Sequence, residues 1–386
     1  MKLLKIPFFR LSFTSAERKE VLDTVNSGWV TTGPKVERLE GEIRKLTGAK
    51  YAAAVSSGTA GLHLALASYN IGRGDEVITT PYTMSATVQA ILYTGAKPVF
   101  VDIDPHSLNI DPTAVESKVS KKTRAIVTVD IAGCPADYDA LRKPARKHNL
   151  RLIDDAAHSL GADFNGRPIG SIADATVFSF YSTKNITTGE GGMVVSDSKT
   201  LINRIRHLLL HGMTSSGYKR YQGGNWKYDV TDLGYKYNMS DLAGALGLGQ
   251  LTRFDKLQNK RRRLAARYLK KLANLTDYIE LPYCGGRSAH AWHLFIIKMH
   301  PRRWKIGRNR LIRELDRLGV GCGVHFIPVY RFSYFRKIMK YKPSDFRVCE
   351  DTFKRVISVP LYPDLTFHEV DYVCDAIRWL IYRHGR

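Results

Sequence analysis

The residues best placed to do chemistry lie in FSFYSTKNITTGEGGMVVSD, residues 178–197, where Lys184 stands between two apolar runs and just ahead of Gly189, Gly191 and Gly192. Both runs read as strands, so the lysine sits at a strand end, the place where ligand sites of α/β folds collect. An amine held partly out of water has a lowered pKa, and its neutral form attacks aldehydes and ketones. A lone lysine in a turn is ordinarily just solvated. Two other segments give this one company.

The first is LRLIDDAAHSLGA, residues 150–162, a hydrophobic strand ending in Asp154 and Asp155. A carboxylate at that end suits a protonated ring nitrogen such as that of pyridoxal phosphate, which it keeps charged as an electron sink. The same acids also suit the cap of the helix that follows. Asp155 is the candidate for the first role. The second segment is AVSSGTAGLHLAL, residues 54–66, which reads as a strand, a turn of small residues and a helix start. There the amides of Gly58, Thr59 and Ala60 are free to meet a phosphate, with the helix dipole behind them. Each feature is weak alone, but the order cradle, acid, lysine is far less common by chance.

Around these residues, short β-rich runs alternate with helical stretches. YAAAVSS, DEVITT, KPVFVD, RAIVTVD, LRLIDD, ATVFSF and GGMVVSD read as strands, and GTAGLHLALAS, SATVQAILYTG and DALRKPARKHN as crossover helices. The pattern predicts a doubly wound α/β domain with a mainly parallel sheet. Residues 240–272 read as one long helix, rich in small residues at first and basic later, that bridges to a second unit. Beyond it, AWHLFIIKM reads as a strand, NRLIRELDRLG as an amphipathic helix closed by Gly319, and FHEVDYVCDAIRWLIY as a second helix. The expected division is a large domain over 1–250 and a smaller α+β C-terminal domain over 251–386.

The 386 residues carry 59 Lys and Arg against 36 Asp and Glu, a formal charge of +23. Residues 251–386 hold 29 of the basic and 12 of the acidic side chains. That footprint suits a solvated helix face or a weak association with an anionic membrane surface. No nucleic-acid-binding motif accompanies it, so no nucleic-acid partner is expected. The five cysteines (Cys134, Cys284, Cys322, Cys349, Cys374) are odd in number and lack a C-x-x-C pair, which argues against a disulfide framework or a metal site. With no run of about 18 apolar residues, a cytoplasmic protein is expected.

Nearly the whole chain resembles the DegT/DnrJ/EryC1/StrS sugar aminotransferases, pyridoxal-phosphate enzymes of fold type I that act on nucleotide-linked keto sugars. SGWVTTGPKVERLEGEI, SSGTAGLHLAL, TPYTMSATVQAI, VDIAGCPAD, DDAAHSLGA, FSFYSTKNITTGEGG, LGYKYNMSDLAGALGLGQL and SVPLYPDL carry the resemblance. It implies a seven-stranded sheet in the large domain, Lys184 as the residue that carries the cofactor, and Asp155 as the partner of its ring nitrogen. It further implies Ser179, Gly58 and Thr59 as phosphate ligands and His158 beside the ring near its phenolic oxygen. Asn238 resembles a phosphate contact that reaches in from a neighbouring subunit, hence a homodimer. Where the family has an aromatic residue over the ring, this chain has Met84, a flexible side chain that covers a ring face less rigidly. Trp29, Thr31, Arg220, Lys227, His325 and Tyr330 fall in segments resembling the family's substrate-lining loops.

The implied reaction moves an amino group from a donor, L-glutamate in the family, to a keto sugar nucleotide, for amino-sugar or surface-polysaccharide synthesis. Lys184 then serves as both tether and acid/base. Two alternatives stand beside it: a regulatory or DNA-binding sensor that keeps the fold, and a sugar dehydratase. Relatives that dehydrate have histidine at the lysine position, and here the lysine is intact.

Overall fold

Seven short runs rich in Val, Ile, Ala and Phe build the main sheet of the computed structural model, which describes residues 3–215, 218, 226–283, 286 and 288–386. They are β1 (Tyr51–Val55), β2 (Glu76–Thr79), β3 (Lys97–Phe100), β4 (Thr123–Val129), β5 (Arg151–Asp155), β8 (Ala175–Ser179) and β9 (Gly192–Ser196). A two-stranded ribbon, β6 (Asp163–Phe164) and β7 (Arg167–Pro168), lies between β5 and β8 in the chain. The order across the sheet is β1-β9-β8-β5-β4-β2-β3. Only β9 runs against its neighbours.

Side chains alternate faces along a strand, and the two cores follow that period. Ala52, Ala54, Ile126, Leu152 and Phe178 pack on one face with Val36, Leu39 and Ile43 of helix Pro34–Thr47. Ala53, Val55, Val127, Ile153 and Val177 pack on the other with Leu62 and Leu66 of helix Gly58–Ser68 and Ile202 of helix Lys199–Leu208. The sheet is thus covered on both sides, as a mainly parallel sheet must be.

The parallel strands all end on the same edge, so the segments after β1, β2, β4 and β8 gather there with the end of β5. Because β9 runs the other way, its first residue, Gly192, arrives at that edge too. A Cβ at Gly192 would lie 2.8 Å from the amide nitrogen of Gly58. Only glycine permits this approach.

A second sheet, of antiparallel β10 (Ile279–Glu280), β11 (Phe295–Met299) and β12 (Val356–Val359), packs with helices Phe254–Leu272, Arg308–Arg317 and Phe367–His384 around a separate core. Ile6 belongs to that core and its amide donates to the carbonyl of Gly319 at 2.8 Å. Among the described residues no helix is long and apolar enough to cross a membrane.

The long helix expected over 240–272 is two helices, Asp241–Leu251 and Phe254–Leu272. At the break, Thr252 Oγ1 turns back to the Gly249 carbonyl at 2.7 Å, and Arg253 reaches the Ser12 carbonyl and Glu17 at 2.6 and 3.0 Å. The small residues have a packing role: a Cβ on Gly249 would fall 2.5 Å from Glu17 Cα of helix Ser15–Asn26. Asp241 joins two helices, since its buried carboxylate accepts the amides of Gly33, Lys35 and Val36 at 2.8, 3.1 and 3.0 Å at the start of helix Pro34–Thr47. Asp241→Ala strands those donors and is expected to cost about 2 kcal/mol or more, read as a lowered urea midpoint at unchanged slope.

Candidate active site

Alternation along β5 parts its two terminal acids. Asp154 goes with Asp130 and Tyr138, and burial pushes Asp130 up to about 7 and raises Asp154 as well. Asp155 goes with Lys184. One Asp155 oxygen accepts from Thr87 Oγ1 at 2.6 Å and the other from the Ala157 amide at 3.3 Å. Burial raises its pKa, while the Thr87 hydroxyl and the Lys184 cation work against that rise. For Lys184 the same loss of water acts in the other direction and brings the amine down to about 8, opposed by Asp155. The lysine is held by the turn that bears it, its amide donating to Tyr181 at 2.9 Å.

His158 is buried beside this pair. The Ala132 amide donates to its Nδ1 at 3.2 Å, so a neutral ring keeps its proton on Nε2. Burial, with the Lys184 and His325 charges, holds the ring well below its ordinary pKa. The His293 ring lies against it, tilted by 30° with centroids 4.3 Å apart, and Phe326 stacks on it at 5.8 Å. His325 is brought down to about 4 by burial and by Lys184, shares a hydrogen bond of 2.8 Å with Ser358, and stacks on Phe8.

Helix Gly58–Ser68 starts directly after β1, capped by Ser57, whose hydroxyl accepts the Ala60 amide at 3.1 Å. Its first-turn amides have no acceptor within the helix. A Cβ on Gly58 would stand 3.1 Å from Ser179 Cβ, so cradle and hydroxyl are neighbours; Thr59 and Ser179 are both half-buried. Met84 is 57% exposed at the start of helix Ser85–Tyr93, three residues before the Thr87 that binds Asp155. These residues fit pyridoxal phosphate: an amine for its aldehyde, an acid for its ring nitrogen, and a glycine-walled helix start for its phosphate.

Other expected site residues lie further out. Asn238 pairs with Val55 at the end of β1 in its own chain, and its side chain donates to Thr32 Oγ1 at 2.7 Å. Trp29 donates to the Thr32 carbonyl at 3.1 Å, while Thr31 and Lys227 are exposed. Arg220 lies outside the described residues. Tyr330 departs from the expectation of a substrate-facing side chain: it is 1% exposed, stacks on Phe346 and donates its hydroxyl to Glu350 at 2.8 Å. Its role here is packing. Three residues of the site escaped the sequence reading: Thr87, Asn185 and His293. The doubled histidine in HAWHLF was the visible sign of His293.

A family model described as the DegT/DnrJ/EryC1/StrS aminotransferase family matches residues 12–378. The spore coat polysaccharide biosynthesis protein SpsC of Bacillus subtilis (strain 168) is 44% identical over 367 residues, 95% of this chain and 94% of its own. Among solved structures, the putative sugar aminotransferase Spr1654 from Streptococcus pneumoniae in its PMP-form superposes with a TM-score of 0.92 at 32% identity, over 98% of this chain and 99% of its own. DesI, solved in the presence of its TDP-sugar product, superposes with a TM-score of 0.87 at 31% identity, over 99% of this chain and 93% of its own.

The lowered amine makes a pH prediction. Only neutral Lys184 attacks a carbonyl, so capture of pyridoxal phosphate is expected to speed up about tenfold per pH unit below the amine's value, and to level off as pH rises through about 8. Stopped-flow absorbance checks this, and an exposed lysine would instead keep accelerating to about pH 10.

Proposed function

Because the chain belongs to the DegT/DnrJ/EryC1/StrS aminotransferase family, we propose that it takes the amino group of L-glutamate and places it on the keto carbon of a nucleotide-linked deoxy sugar. The chain is a sugar aminotransferase with pyridoxal phosphate as cofactor. What carries the assignment of roles is the Lys184 amine opposed by Asp155 at the strand ends, beside a neutral His158. The TDP-sugar product of the DesI structure supports a nucleotide-linked substrate.

When bound, the cofactor supplies an electron sink that stabilises negative charge at the carbon being deprotonated. Lys184 would hold it covalently, and the same amine, when free, would move a proton at that carbon. An amine titrating near 8 can both take and return a proton at neutral pH. Asp155, a carboxylate which burial disfavours, would be relieved by a protonated ring nitrogen and would keep it so. Gly58, Thr59 and Ser179 bind the phosphate. Met84 would cover the ring, and His158 would offer its Nε2 proton to the phenolic oxygen. Trp29, Thr31, Lys227 and His325 are the proposed sugar-nucleotide contacts.

A homodimer is part of this reading. Leu22, Val25, Val30 and Leu242 are exposed on adjoining parts of helix Ser15–Asn26, its following turn and helix Asp241–Leu251, and apolar surface gathered this way marks a protein interface. Asn238, close by, is the residue proposed to reach the partner's phosphate. A second reading concerns the basic excess. Lys256, Lys260, Arg262, Arg263 and Lys270 are exposed on helix Phe254–Leu272, and weak attraction to an anionic membrane is expected of such a face. Salt-sensitive co-sedimentation with phosphatidylglycerol vesicles supports it, and no sedimentation at low salt removes it.

The function itself is tested by the absorption spectrum with added pyridoxal phosphate. A visible band that L-glutamate bleaches is expected; a band indifferent to glutamate means a different donor. Lys184→Ala is expected to lose band and turnover together. Asp155→Asn is expected to keep the band while turnover with a keto-sugar nucleotide falls about a hundredfold or more; near-normal turnover would show that another acid serves the ring.

A further inference from the structure

His293 crowds the Lys184 pocket without a part in the reaction outlined above, and the residue that fixes it is Asn185, next to the lysine. Asn185 Nδ2 is ringed by oxygens: the Ala291 carbonyl at 3.0 Å, Gln258 Oε1 at 3.1 Å and the Leu160 carbonyl at 3.4 Å. Gln258 Nε2 itself donates to the Ala291 carbonyl at 2.7 Å. Neither amide can turn round without setting oxygen against oxygen. Asn185 Oδ1, an acceptor only, is therefore the atom 3.2 Å from His293 Nδ1, and a neutral His293 carries its proton on Nδ1. His158 has the opposite arrangement, its Nδ1 accepting from the Ala132 amide and its proton on Nε2.

The two rings are also tied through one residue. Ala132, at a left-handed φ of 60°, donates its amide to the His158 ring, and its carbonyl accepts the His293 amide at 2.9 Å. Arg261, buried, holds the carbonyls of Trp292 and His293 at 3.3 and 3.4 Å. If His158 turned over, it would offer carbon to the Ala132 amide, and if protonated it would set one N–H against another. The His293 ring, 4.3 Å away and tilted by 30°, opposes the turn. Lys184, His325 and Arg261 are the other charged or titratable groups that act on the pair.

We propose that His293, held by Asn185, is a positioning residue for His158, fixing that ring's orientation and the place of its proton beside Lys184. This rests on His158 lying against the cofactor ring, as proposed above. The tautomers themselves do not.

Nitrogen-15 NMR of histidine-labelled protein without cofactor reads both tautomers. The expected result is His293 protonated on Nδ1 and His158 on Nε2 through roughly pH 6 to 8, and any other pairing overturns the proposal. In His293→Ala, His158 is expected to average its tautomers and to titrate about one pH unit higher or more. A folded His293→Ala protein with an unchanged His158 overturns it. Should that variant not fold, Asn185→Ser serves: His293 is expected to lose its single tautomer and the His158 signals to move, and unmoved signals count against the proposal. With pyridoxal phosphate bound, the pH midpoint of the visible band is expected to shift by about half a unit or more in His293→Ala, with kcat lowered and KM for the sugar little changed. A wild-type protein that takes up no pyridoxal phosphate overturns the functional reading instead, and the cofactor-free spectra tell the two failures apart.

Discussion

An amine and a carboxylate withdrawn from water together each resist their charge, and each relieves the other. Lys184 and Asp155 stand in this relation, burial lowering one pKa and raising the other while their attraction opposes both shifts. The surrounding architecture serves to bring them there. Asp155 closes β5, Lys184 follows β8, and the pairing of Asp155 with Val177 sets the two strands side by side in register. The reversed β9 returns the glycine loop to the same edge, where Gly192 lets Gly58 and Ser179 draw together. A phosphate cradle and a reactive amine thus become neighbours although more than a hundred residues separate Gly58 from Lys184 along the chain.

Helix Phe254–Leu272 and the segment leading into β11 contribute to that site. Gln258 and Ala291 bind the side chain of Asn185, and Arg261 gathers the carbonyls of Trp292, His293 and Leu361. Burial brings the Arg261 guanidinium down to about 10. Such a buried cation, its Nη1 met by these three carbonyls, is costly to misplace, so the segment carrying His293 has little freedom to slide against the lysine turn.

Much of this was legible in the sequence because it is local. All seven strands of the main sheet, and the lysine, acid and cradle at their ends, follow from apolar runs bounded by Gly, Asp and Ser. What escaped depends on partners far away in the chain. Thr87 matters through Asp155 and Asn185 through His293, and a threonine or asparagine by itself announces neither. The break at Thr252 and Arg253 escaped for the same reason: local propensity favours a continuous helix, and contacts to Ser12 and Glu17 overrule it. Tyr330 illustrates the converse, since a tyrosine in a loop-like segment reads as a ligand contact until its hydroxyl is found on Glu350.

Ile6, the interior residue whose amide donates to Gly319, has a consequence for how the molecule is made. Ile6 is needed in a core whose other members lie roughly three hundred residues further along the chain, a separation that slows closure of that core. Until the helices and strands of that core are made, the segment carrying Ile6 has nowhere to dock. During synthesis the large sheet can form first, while the second core waits with apolar surface uncovered, and that interval is when the nascent protein has most need of a chaperone.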